Sequence, residues 1–139
     1  MADLSALIRL HKHELDEKRL ALAALYTAAA ELERQRRELE RTFEQEKKAV
    51  GNTDDIHFTF SRYVEQVNRR RKELDERDAA LAKQVEAAKE SMMETFSELK
   101  KYEMTQEERE RIAAEERLFK ESQEMDAIGI EGFRRKGEE

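Results

Sequence analysis

Three histidines and one run of four cations are the side chains here whose type and spacing invite a chemical reading. His11 and His13 lie two apart, so on a helix they point to different faces and cannot easily share one metal. Zinc sites need three or four converging ligands. No HExxH motif occurs, and there is no cysteine to supply a thiolate or a disulfide. The histidines, including His57 beside a turn, therefore read as structural or solvated. Arg69-Arg70-Arg71-Lys72 could grip a phosphate or an acidic partner. It is followed at once by Glu73, Asp75, Glu76 and Asp78, which is the pattern of a salt-bridged helix face. There is no glycine-rich phosphate loop. Serine, histidine and acidic residues are present, but a slender helical chain offers no enclosed pocket to gather them. The expectation is a protein that is not an enzyme, with no catalytic residue, metal or cofactor.

The elements that position these side chains are legible in the heptads. Leu4, His11, Lys18, Leu25, Leu32, Leu39 and Glu46 form one row at intervals of seven. Ile8, Leu15, Leu22, Ala29, Arg36, Phe43 and Val50 form a second, and ten of these fourteen positions are apolar. The rows alternate at spacings of four and three, the seam of a left-handed coiled coil. Ala21 to Ala30 contains six alanines, so a partner helix can approach closely there. The seam stops at Gly51-Asn52-Thr53-Asp54-Asp55. Gly51 suits a helix C-cap, Asn52 or Thr53 the next N-cap, and the two aspartates a first turn. A second stripe follows through Ile56, Phe60, Tyr63, Val67, Arg70, Leu74, Arg77, Leu81, Val85, Ala88, Met92, Phe96 and Leu99. Its extra spacings of four, at Leu81–Val85 and Met92–Phe96, resemble stutters.

A short connection between two such runs favours an antiparallel hairpin. The expected fold is all-α: a long two-helix antiparallel coiled-coil hairpin with helix 2 longer than helix 1. Helix 1 covers residues 1–50, the turn 51–55, helix 2 residues 56–128, and a frayed C-terminus 129–139. Folding about Thr53 sets Leu4 near Tyr102 and Ala29 near Arg77. That leaves 103–128 as an unpaired extension, supported by alternating charges such as Glu107-Glu108-Arg109-Glu110-Arg111. Met92-Met93, Phe96 and Tyr102 form an apolar patch near the open end of the hairpin. It reads chiefly as seam packing against Ile8 and Leu4, with a partner as the second use.

Composition limits the function classes. Charged residues make up 43% of the chain and hydrophobic ones 38%, many of them alanine, so a thick globular core is not expected. With no proline, long helices meet no obstacle. Net charge is −6, concentrated after residue 102, and there is no basic face; nucleic acid is not an expected partner. No apolar run approaches the ~20 residues of a membrane span, and Arg9 interrupts the one short apolar stretch near the N-terminus. These features read as a soluble, uncleaved, intracellular protein with no transmembrane segment.

Four stretches resemble the FliJ family, the flagellar type III export stalk proteins. Leu7-Ile8-Arg9-Leu10-His11-Lys12-His13-Glu14-Leu15-Asp16-Glu17-Lys18-Arg19 looks like the family's opening. Phe96-Ser97-Glu98-Leu99-Lys100-Lys101-Tyr102-Glu103 is similar to the segment that begins its C-terminal third. Ala113-Ala114-Glu115-Glu116 and Gln123-Glu124-Met125-Asp126-Ala127-Ile128-Gly129 are similar to its closing region. The resemblance implies a cytoplasmic part of the bacterial flagellar export apparatus, peripheral at the inner membrane. It implies a stalk that inserts the open end of its hairpin into a hexameric export ATPase and also contacts the membrane export gate and export chaperones. The chemistry would belong to the ATPase. The positions it marks for partner contact, inside the matching segments and off the seam, are Arg9, Lys12 and Asp16, with His13 beside them, and Lys100 and Lys101 on helix 2. The match is looser from Met104 to Arg111. A structural spacer or homodimeric rod is the competing expectation from the heptads alone, and a chaperone-like hairpin for unfolded clients a weaker third.

Overall fold

The computed structural model of the chain describes residues 3–50 and 54–138. Two α-helices, α1 (Ser5–Ala49) and α2 (Asp54–Glu138), pack against each other as the expected antiparallel coiled-coil hairpin, and α2 is the longer. Their contacts fall into two compact units. A middle unit comprises Glu14–Thr95; a terminal unit combines the residues up to His13 with those from Phe96 onward.

The heptads become burial directly. Every expected seam position from Leu4 to Val50 is buried or half-buried except Glu46, whose carboxylate stays in water beside Lys47 and Lys48 in the last turn of α1. On α2 the buried face runs through Phe60, Tyr63, Val67, Arg70, Leu74, Leu81, Val85, Ala88, Met92, Thr95, Leu99, Tyr102 and Gln106. Two expected seam residues fall away. Arg77 is exposed. Phe96 is exposed as well, and its place is taken by Thr95, which is only 3% exposed. Met92–Thr95–Leu99 thus keeps regular three-four spacing, and of the two expected stutters only Leu81–Val85 remains.

The pairing register is one helical turn away from simple folding about Thr53. Leu4 meets Gln106, its N–H donating to Gln106 Oε1 at 3.3 Å, rather than Tyr102. In the middle unit Arg36 pairs with Asp75 and, at 3.5 Å, with Asp78, while Arg71 grips both carboxylate oxygens of Glu40 at 2.6 and 2.8 Å. A slip of one turn carries each seam residue to the next seam position, so the apolar pattern tolerates either register. These polar pairs distinguish them.

Helix ends also differ from expectation. Helix 2 starts at Asp54 rather than residue 56, while Gly51, Asn52 and Thr53, with their proposed caps, lie outside the described residues, as do the side chains of Ile56 and His57. At the other end α2 continues through Gly129 and Gly132 to Glu138, where a frayed tail from residue 129 was expected. Arg134 and Arg135 both reach back to Glu131, at 3.7 and 3.8 Å, and add a little local support where glycine's helix preference is weak. From Glu115 onward the described side chains are all exposed.

Candidate partner-binding surface

Five of the six marked residues lie in the terminal unit, and all six are exposed. The unit is built on a cap. Asp3 Oδ1 accepts from the Ser5 backbone N–H at 3.0 Å and from the Ser5 hydroxyl at 2.7 Å. Gln106 of α2 donates to the same Asp3 oxygen at 3.2 Å while accepting from Leu4 N–H. One side chain from α2 therefore satisfies a free donor at the start of α1 and ties down its capping carboxylate. The Ser5 hydroxyl, then the Ser5 N–H, hold the Asp3 carboxyl below the usual carboxylate range, with Gln106 and the charge of Arg9 adding to them against its desolvation.

Inside the unit, His11 is 9% exposed and Leu99 4%. The His11 ring meets Tyr102 edge-on, with centroids 4.9 Å apart. Its Nδ1 is 3.0 Å from the Leu7 carbonyl oxygen, and its Nε2 is 3.4 Å from Glu98 Oε2. Beside it, half-buried Glu103 receives Lys100 at 3.1 Å and, at the limit of contact, Lys12 at 4.0 Å. Lys12 and Lys100, one from each helix, thus converge on one carboxylate. Lys100 also lies 5.4 Å above the Phe96 ring, which is 45% exposed. Arg9, His13 and Lys101 are exposed around this cluster, and His13 has a polar or ionic contact of its own. The sixth residue, Asp16, belongs to the middle unit and pairs with Arg19 at 3.6 Å. The five terminal-unit residues present cations and an imidazole on the helix surface.

The expected apolar patch divides. Met92 and Tyr102 are half-buried, whereas Met93 and Phe96 face outward. Farther along α2, Leu118, Phe119, Met125, Ile128, Ile130 and Phe133 are exposed.

In the middle unit, the cation run behaves as a salt-bridged face. Arg70 pairs with Glu73 at 2.9 Å, and Arg71 combines its grip on Glu40 with a position 4.8 Å above the Phe43 ring. A groove of about 250 Å³ lies between Arg36, Leu39, Glu40, Arg71, Leu74 and Asp75, but both of its arginines are held by its own carboxylates. Among the described residues no three His, Asp or Glu side chains converge as metal ligands, and no helix is long and apolar enough to cross a membrane.

Sequence reasoning missed the roles of Gln106 and Thr95 and treated His11 as one more seam residue. The signal for Thr95 was regular spacing, outweighed by the aromatic next to it. Gln106 left none, since a cap supplied from the other helix requires the register to be known. No protein-family model matches the chain, and no match was found among curated proteins or solved structures.

Proposed function

We propose that this chain is a non-enzymatic coiled-coil component of the bacterial flagellar protein export apparatus. In this reading it is a stalk that binds and promotes a hexameric export ATPase and links it to the export gate and export chaperones. It would work in the cytoplasm, peripheral at the inner membrane, by binding one conformation of the ring better than another and so shifting their populations. The resemblance of four segments to FliJ-like proteins is what carries the reading. It is supported by the hairpin's unequal helices and by the exposure of Arg9, Lys12, His13, Lys100 and Lys101 on the unit that holds both ends of the chain.

ATP hydrolysis by the cognate export ATPase, measured with and without this protein where the ring is only partly assembled, tests it. A rise in rate together with more hexamer is expected, and Lys12→Ala with Lys100→Ala should reduce both. No change at saturating protein and with active ATPase overturns the stalk reading. The second reading is a structural spacer or homodimeric rod. The exposed apolar side chains Leu118, Met125 and Ile128, at seven- and three-residue spacing, favour it, and a stable dimer in sedimentation would support it.

A further inference from the structure

The last third of α2 carries a stripe of apolar and small residues that α1 does not meet. Leu118, Ser122, Met125, Gly129 and Gly132 follow one another at spacings of four, three, four and three, as in a coiled-coil seam, and Phe133 stands beside them. All of them are exposed. The stripe is not the hairpin seam continued. From Leu99, Tyr102 and Gln106 the face against α1 runs on through half-buried Arg109 to Ala113, Glu116, Lys120 and Gln123, and none of the last three is apolar. A helix laid along the hairpin seam therefore does not cover it. The charges beside the stripe are sorted along the helix. From Glu115 to Asp126 there are five acidic side chains and two basic ones, and from Gly129 to Lys136 three basic ones and one acidic. Arg134 and Arg135 share that one carboxylate, Glu131, at 3.7 and 3.8 Å, which leaves their charge largely unmet within the helix.

We propose that this stripe seats a second copy of the chain, the ends of two α2 helices lying antiparallel about a two-fold axis at Met125. Met125 then meets its own copy. Leu118 comes level with Gly132 of the other helix, where nothing stands within 4 Å of the absent side chain. Arg135 and Arg134 come level with Glu115 and Glu116 of the other copy, twice over by symmetry. Opposite charges thus face each other along both halves, whereas a parallel pair would set acid against acid and base against base. Glu138, the last residue of α2, falls past this length, one position from Arg111 of the other copy. The paired length, Ala114 to Lys136, is about 33 Å at a helical rise of about 1.5 Å per residue. An interface of one short helix against another belongs to the weak, reversible class. Such a pairing goes beyond both readings of the function, because its partner, length and direction are set at the end of α2, and the ATPase test is decided without it.

Sedimentation equilibrium of the full chain from about 1 to 200 µM, the range in which a weak protein interface fills, is the test. The wild type should pass from monomer to dimer. Met125 is exposed, so Met125→Glu leaves the hairpin intact and should hold the chain monomeric throughout. Arg134→Glu with Arg135→Glu should weaken association by on the order of tenfold, and adding Glu115→Arg with Glu116→Arg should restore it, with helix content checked by circular dichroism. Direction is read separately, since the sequence has no cysteine. Under mild oxidation Met125→Cys should cross-link two copies, and Lys136→Cys should not. A wild type that stays monomeric at the highest concentration overturns the proposal. So does a dimer that Met125→Glu leaves unchanged, or one that Lys136→Cys cross-links as readily as Met125→Cys. If the monomer instead binds phosphatidylglycerol vesicles and Met125→Glu abolishes that binding, the occupant is a lipid surface and the proposal fails.

Discussion

Buried side chains in the middle unit are Leu15, Leu22, Leu32, Val67 and Leu74, joined by Thr95; in the terminal unit they are Leu99 and His11. Both units use the same seam and the same helix pair, yet one is closed by aliphatic packing and the other by directional polar contacts. Even the polar insertions differ. In the middle unit Lys18 donates to Thr95 Oγ1 and, at 3.3 Å, to the Ser91 carbonyl, while the Thr95 hydroxyl donates to that same carbonyl at 3.2 Å. Lysine's stem lies along the seam and its ammonium finds neutral oxygens. In the terminal unit His11 occupies a seam position, its Nδ1 3.0 Å from the Leu7 carbonyl oxygen and its ring edge-on to Tyr102. A seam with one buried leucine and one buried histidine buries less apolar surface than one with five buried aliphatic side chains, and is held by less of the hydrophobic effect.

The largest effect should come from breaking the aliphatic side of this contrast. Leu74 is 1% exposed, and Leu74→Ala should cost about 2–5 kcal/mol in urea denaturation. Leu99→Ala, in the thinner unit, should fall at the lower end of that range and act mainly on local exchange near α1's start. If the two variants lose equal global stability, the division between the units is not energetic. Next in size is the Arg71–Glu40 bridge with Arg71 over Phe43. Arg71→Ala should cost about 1 kcal/mol, most of it recovered as coupling in a double-mutant cycle with Glu40→Gln.

The same bridge sharpens the contrast in pH. Hydrogen bonding from Arg71 first, and its charge third after opposing desolvation, hold the Glu40 carboxyl below the usual range. A depressed carboxylate stabilises the fold above its unfolded pKa, and that contribution is lost as pH falls through the folded value. Acid should therefore weaken the middle unit below about pH 4.5, and less so in Glu40→Gln. Thermal melts and local exchange over pH 3 to 8 would check this, and an equal acid response in Glu40→Gln would remove the bridge as its cause.

How legible each unit was in the sequence follows the same line. The heptad rows of α1 give its buried face almost residue by residue, because apolar periodicity and burial are the same physical fact seen twice. Register was not legible: a shift of one turn preserves the stripe, and the residues that choose between registers are charges such as Arg36, whose partners cannot be named until the helices are docked. Phe96 misled because aromatic character was weighed above spacing, while Thr95 fits the seam and still satisfies its hydroxyl on Ser91. For the candidate surface, sequence supplied Arg9, Lys12, Lys100 and Lys101 as exposed positions. It did not show that Lys12 and Lys100 converge on Glu103, a contact between residues far apart in the chain.

The smallest effect concerns the end of α2, where neither kind of closure operates. Gly129 and Gly132 were read as the place where the helix ends, yet both lie within it, neither has a positive φ, and nothing lies within 4 Å of where a Cβ would sit. Packing therefore does not hold this segment. Its helicity rests on backbone propensity and on pairs such as Arg135 with Glu131. Alanine at either glycine meets no obstacle and restricts the unfolded chain, so Gly129→Ala and Gly132→Ala should each stabilise the local helix by about 0.4–1 kcal/mol. Circular dichroism should show a small gain in helix content, and exchange should slow from Ile128 to Arg135 while the urea midpoint of the middle unit stays in place. A shift of that midpoint would mean that the end of α2 contributes to the closure of the middle unit, leaving the two regions less independent than their cores suggest.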